Sequence, residues 1–118
     1  KLAATKAAIK LKAGISVAAP TATENIMVFF TNAAITIENV QEVLAGTTPS
    51  VTYTIHFGDT GDVSDGTIVA SHAATSTVGT AASLNTTSIL ANRYVWVTTS
   101  ATSGTVTNFH FTINYVMQ

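Results

Sequence analysis

Apolar and polar residues alternate with a period of two along most of this chain, the mark of half-buried β-strands rather than helices. Ile9, Leu11, Ala13, Ile15 and Val17 alternate with Lys10, Lys12, Gly14 and Ser16. Val51, Tyr53, Ile55 and Phe57 alternate with Thr52, Thr54 and His56. Ile26–Phe30 (IMVFF) is apolar at every position. That predicts a central strand buried on both sides, or a strand at a subunit contact. Ile35 and Ile37 open another strand, but Val40 and Val43 fall out of phase with them. A β-bulge near Asn39 restores the phase; the alternative is a short helix over 40–44.

The last third, Ser88–Tyr115, carries the clearest pattern. Tyr94, Val95, Trp96 and Val97 precede the turn formers Thr102-Ser103-Gly104-Thr105, and Val106, Phe109, Phe111, Ile113 and Tyr115 follow them. This predicts two long strands joined as a β-hairpin. Gly46–Ser50 and Gly58–Gly66 read as loops, 67–71 and 88–90 as short strands, and 75–84 as an edge strand or loop. Together these give roughly seven or eight strands at the spacing of a sandwich or barrel. The expected fold is therefore all-β, an antiparallel β-sandwich of jelly-roll type. Residues 1–12 are expected to form an N-terminal arm that extends into a partner, and residues 13–118 a single domain.

Composition sharpens this picture. At 118 residues the chain has the size of one domain. It has no cysteine, which excludes a disulfide-stapled scaffold. Threonine is the commonest residue and charged residues are 9% of the chain. Threonine suits a pleated surface, and charge-poor strands suit a sheet that packs on other protein. Lys1, Lys6, Lys10 and Lys12 are four of the five basic residues, and Arg93 is the other. Lysines without arginine or interleaved aromatics fall short of a nucleic-acid surface, and the expected role of these four is contact with a partner. No apolar run approaches the roughly 18 residues of a membrane span. The first residue is Lys rather than Met, which suggests a processed or truncated product.

Candidate chemistry is thin. Asp59, Asp62 and Asp65 crowd one loop, but their spacing does not match an EF-hand and fits turn geometry at a domain tip. His56, His72 and His110 offer no close-spaced metal pair, although His56 and His110 would meet if their strands were neighbours. There is no GxSxG elbow, and the acids are few and fall in turns or on polar faces. Neither catalysis, cofactor nor metal is expected. Tyr53 and Trp96 belong to apolar alternations and are expected in the core, while exposed Tyr94 or Phe29 would offer a surface for sugar rings. Asn85-Thr86-Thr87 matches a glycosylation sequon.

Two segments, Pro20–Gly58 and Ile89–Tyr115, resemble a recurrent all-β module of tailed-bacteriophage virion proteins. The resemblance rests on a Pro-x-x-x-Glu-Asn-Ile opening (Pro20–Ile26), Ile-Thr-Ile (Ile35–Ile37), Gly-Thr-x-Pro-Ser-Val-Thr (Gly46–Thr52) and Val-Trp-Val-Thr-Thr-Ser-Ala-x-Ser-Gly-Thr (Val95–Thr105). Leu90 stands where such modules carry Pro, and the Gly58–Gly66 loop is longer. The resemblance implies a structural protein of the phage particle: a capsid decoration (cement) protein bound to the major capsid protein, or a head- or tail-fibre module bound to host glycan. A homo-oligomer, trimer or dimer, is expected, with Ile26, Met27, Phe29 and Phe30 as its contact or core strand.

Overall fold

The structure is a computed structural model that describes residues 9–118. It is all-β: one antiparallel sheet of seven strands, with no helix among the described residues. The strands are β1 (Lys10–Ala18), β2 (Asn25–Thr31), β3 (Ile35–Gly58), β4 (Gly66–Ala74), β5 (Thr80–Ala81), β6 (Ser88–Ile89) and β7 (Arg93–Met117). Two very long strands dominate. β3 and β7 pair along their whole lengths, from Ile35 opposite Met117 to Gly58 opposite Tyr94. β1 flanks the second half of β7 and β2 flanks its first half. β4 flanks the second half of β3, while β5 and β6 flank its first half.

β7 runs straight through Thr102–Thr105, so the hairpin those residues predict does not form. Each half of β7 finds a partner in β3 instead of in the other half. The turn formers still act, but on both strands at once and as a corner. Gly46 and Gly104 take positive φ angles of 143° and 68°, and the register slips between Thr47 and Ser50. The predicted loop Gly46–Ser50 is therefore the bulged part of β3 that faces this corner. A double bulge of this kind bends a strand pair sharply.

Beyond the corner the two halves of the sheet face each other. Tyr53, in the second half of β3, packs its ring 5.0 Å from Phe109 and 6.2 Å from Phe111, in the second half of β7. Phe29 of β2 stacks on Tyr115 at 5.0 Å. The core between the halves is built from Ile35, Ile37, Val40, Leu44, Val51, Tyr53 and Ile55 of β3 and from Val95, Val97, Phe109, Phe111 and Ile113 of β7. Tyr53 and Trp96 are both buried, as their alternation predicts. Trp96 points away from this core, since it alternates with Val95 and Val97. It is covered by His56, whose ring stacks on it at 5.3 Å.

One side of the two facing halves is joined. Asn85 N and Thr86 N donate to Ile68 O and Thr67 O, tying the segment before β6 to β4. The other side is a seam, along which β1 and β2 each pair with β7 and not with one another. β2 is thus an edge strand rather than the central strand that an all-apolar run predicts. The bulge expected at Asn39 is present, as a register shift between Ile37 and Asn39, and the helix alternative is excluded.

Candidate functional site

The lysines read as partner contacts divide in two. Lys1 and Lys6 lie outside the described residues. Lys10 and Lys12 belong to β1, opposite Val116 and Asn114. Lys10 Nζ sits 2.7 Å from Glu38 Oε2 on the neighbouring outer face.

Alternate residues of β1, β7 and β3 lie in cross-strand rows on that outer face. Gly14, Thr112 and Gln41 make one row, Ser16, His110 and Val43 the next, and Ala18, Asn108 and Ala45 a third. Side chains satisfy one another laterally: Ser16 Oγ lies 2.7 Å from His110 Nδ1, and Asn114 Nδ2 donates to Asn39 Oδ1 at 2.7 Å. The result is a broad surface of hydroxyls, amides, small or aliphatic side chains and one imidazole, with no Lys, Arg, Asp or Glu in the three rows. The core-facing rows beneath it, such as Val17, Phe109 and Leu44, hold it in place.

On the other half, β2 places its apolar residues unequally. Ile26, Val28 and Phe29 pack against the core, whereas Met27 and Phe30 are 45% and 47% exposed. Phe30 lies in register with Tyr94, and the two rings touch at a centroid distance of 4.7 Å. A register shift between Met27 and Phe29 turns both exposed residues to the same face.

The three aspartates occupy the β3–β4 loop, and one arginine bridges two of them. Arg93 reaches Asp59 Oδ1 at 3.0 Å and Asp65 Oδ2 at 3.2 Å. Asp62 Oδ1 instead accepts from Thr60 Oγ1 at 2.9 Å. One guanidinium neutralises two of the three carboxylates, and the loop is a charge-clamped turn. His56 and His110 do not meet either. His56 lies opposite Trp96 and His110 opposite Val43, one on each half of the sheet.

One cluster escapes a reading that puts the acids in turns or on polar faces. Glu42 is only 3% exposed. Tyr53 Oη donates to its Oε1, and His72 Nε2 donates to its Oε2 at 2.9 Å. Burial, and then the adjoining carboxylate, push the Tyr53 phenol far above its ordinary value, so it stays a donor. The bulge at Asn39 is what turns Glu42 inward: it puts Val40, Glu42 and Leu44 on one face. The cluster ties both halves of β3 to β4. Among the described residues no buried side-chain nitrogen or oxygen lacks a hydrogen-bond partner.

His56 Nε2 lies 2.8 Å from Thr98 Oγ1 and its Nδ1 3.3 Å from Ser64 Oγ. Burial pushes this imidazole below its ordinary value of 6.5. A lowered folded value means that the unfolded chain takes up the proton first. The stability His56 contributes is therefore complete above pH 6.5 and is lost as pH falls through 6.5 toward the folded value. The urea midpoint should fall more steeply below about pH 6.5 in the native protein than in His56→Gln. Parallel curves for the two proteins would refute this assignment.

Among the described residues no cavity forms and no group of three or more His, Cys, Asp or Glu side chains could hold a metal ion. No protein-family model, curated protein or solved structure matches this chain.

Proposed function

We propose that this chain is a structural protein of a tailed-phage virion, a capsid decoration protein that binds the major capsid protein and stabilises the shell. In this reading the two facing halves of the bent sheet are the layers of a jelly-roll-like β-sandwich. The contacts of Tyr53 with Phe109 and Phe111 support that, because they span the space between the halves. The protein acts by adhesion and not by catalysis, at the particle surface, as a dimer or trimer, and needs no cofactor.

The observation that carries the proposal is the three-row stretch of the outer face of β1, β7 and β3 that holds no carboxylate, ammonium or guanidinium group. Its hydroxyls and amides suit a wet protein–protein interface, in which many modest hydrogen bonds add up over a wide area. The segments that resemble virion modules support the same class. Gly46–Thr52 and Val95–Thr105 lie far apart in sequence, yet Thr47 pairs with Thr105, Ser50 with Ser103 and Val51 with Thr102. The resemblance therefore falls on both strands of one corner and concerns the architecture of the fold.

The test is reconstitution. Purified protein added to particles stripped of it should rebind at a fixed number of copies per capsid subunit and raise the temperature at which the particles release DNA. Thr112→Arg, on the exposed face, should weaken binding by about tenfold or more while the isolated protein melts unchanged. Absence of binding to the stripped particles would reject the proposal.

A second reading follows from the exposed Phe30–Tyr94 pair beside the aspartate loop. Aromatic faces flanked by carboxylates suit sugar rings, and a head- or tail-fibre module would use them to attach to host glycan. Glycan-array binding that Tyr94→Ala abolishes would favour it over decoration.

A further inference from the structure

The seam between β1 and β2 is an unfinished side of the fold. Among the described residues, both strands have one edge on β7 and one edge without a strand partner. Free strand edges in natural proteins are usually blunted by lysine, by proline or by a covering segment. β1 follows that rule with Lys10 and Lys12. β2 does not: Asn25–Thr31 contains no charged residue and no proline, and it exposes Met27 and Phe30.

Charge is distributed along the seam in a particular way. Leu11 pairs with Tyr115, and Tyr115 stacks on Phe29, so Lys10 and Lys12 lie at the end where β2 finishes. Glu24 lies at the other end. Its carbonyl accepts from Thr99 N, Thr99 pairs with Tyr53, and Tyr53 packs on Phe109, the partner of Val17. The two ends are separated by the length of β2, roughly 20 Å at a strand's rise per residue. Glu24 is half-exposed and uses Oε2 to accept from Thr21 N and Thr21 Oγ1, while its Oε1 has no hydrogen-bond partner among the described residues. Lys12 is exposed and has no ion pair among them.

We propose that this seam is where a second copy of the chain docks, edge to edge and antiparallel about a two-fold axis. A two-fold contact is self-complementary. Placing the seams antiparallel sets the lysine end of one copy beside the Glu24 end of the other, twice. A parallel arrangement would instead set lysine against lysine. The uncharged β2 edges meet at the centre and extend the sheet from one copy into the next. The Lys12–Glu24 pairs lie at the rim. The inference does not depend on the virion reading, since a dimer in solution is required whatever the larger assembly is.

The test is sedimentation equilibrium of the full chain over a wide concentration range, with charge reversal. The native protein should be a dimer. Lys12→Glu and Glu24→Lys should each raise the dimer dissociation constant by about tenfold. The double variant K12E/E24K recreates both pairs with reversed sign and should return the constant to near its native value. Met27→Lys, which puts a lysine in the β2 edge strand, should weaken the dimer while the far-ultraviolet dichroism spectrum stays unchanged. A native protein that stays monomeric, a three-fold assembly, or singles that weaken the dimer without rescue in the double would each overturn the proposal.

Discussion

Glu42→Ala is expected to lower the unfolding free energy by about 3 kcal/mol, one of the largest single-residue losses this fold can show. Glu42 is buried, and both of its carboxylate oxygens are engaged, one by Tyr53 and one by His72. Truncation leaves the buried Tyr53 hydroxyl without an acceptor, which costs about 1–3 kcal/mol, and takes from the partly exposed His72 Nε2–H a partner that water only partly replaces. It also opens a void between the first and second halves of β3. For a domain of this size the midpoint of thermal unfolding should fall by roughly 10 °C. Glu42→Gln keeps the volume and an acceptor for Tyr53, and a change of His72 tautomer satisfies the new amide. Its loss should be about 1 kcal/mol. Urea unfolding monitored by the single tryptophan measures both. If Glu42→Ala matched the native midpoint, the cluster would have no part in holding the halves together. A double-mutant cycle with Tyr53→Phe should show strong coupling, because either change alone leaves the other partner unpaired.

The same residues show what the sequence made legible. The alternation of Val51–Phe57 places Tyr53 in the core, and the phase slip after Ile37 marks the bulge at Asn39. That slip also carries the signal for Glu42, since a bulge that brings Val40 and Leu44 inward necessarily brings Glu42 with them. Carboxylates are seldom buried, and that prior hides the inference. The role of Thr102–Thr105 was less accessible. A turn signal states that the chain can bend there, not whether the flanking strands pair with each other or with a third strand. That competition is decided by long-range contacts, here by the 24-residue length of β3. Ile26–Phe30 is ambiguous for a related reason. A strand apolar on both faces has the same composition whether two sheets bury it or another molecule covers one side. The bounds of the aspartate loop, Gly58 and Gly66, are legible from its turn residues, but the Arg93 clamp across it joins residues some thirty positions apart and leaves no local trace.

The corner supplies the other large effect, and it tests whether the bend of β3 and β7 makes the fold. Gly46→Ala and Gly104→Ala should each cost about 2–4 kcal/mol. Two independent causes act at both positions. Their positive φ angles, 143° and 68°, are ones that side-chain-bearing residues rarely adopt. A Cβ on Gly46 would collide with the carbonyl oxygen of Thr105, and one on Gly104 with that of Thr48. Both obstacles are backbone atoms of the opposing strand, so neither can swing aside as a side chain would. Relief requires the two strands to separate at the point where they bend together. Gly14→Ala is the control. Its added methyl would meet Thr112 Oγ1 at 3.6 Å, an ordinary contact on the outer face, and β1 should tolerate or gain from the change. Thr48 gives a finer probe, since it already holds a φ of 45° in the same corner. Thr48→Gly should relieve that conformation and stabilise the protein by a few tenths of a kcal/mol, whereas glycine in a regular strand destabilises. A corner that is only a local irregularity would respond to all four substitutions alike. One that determines how the halves meet should separate them by sign, with Gly46 and Gly104 losing stability and Thr48 and Gly14 holding or gaining it.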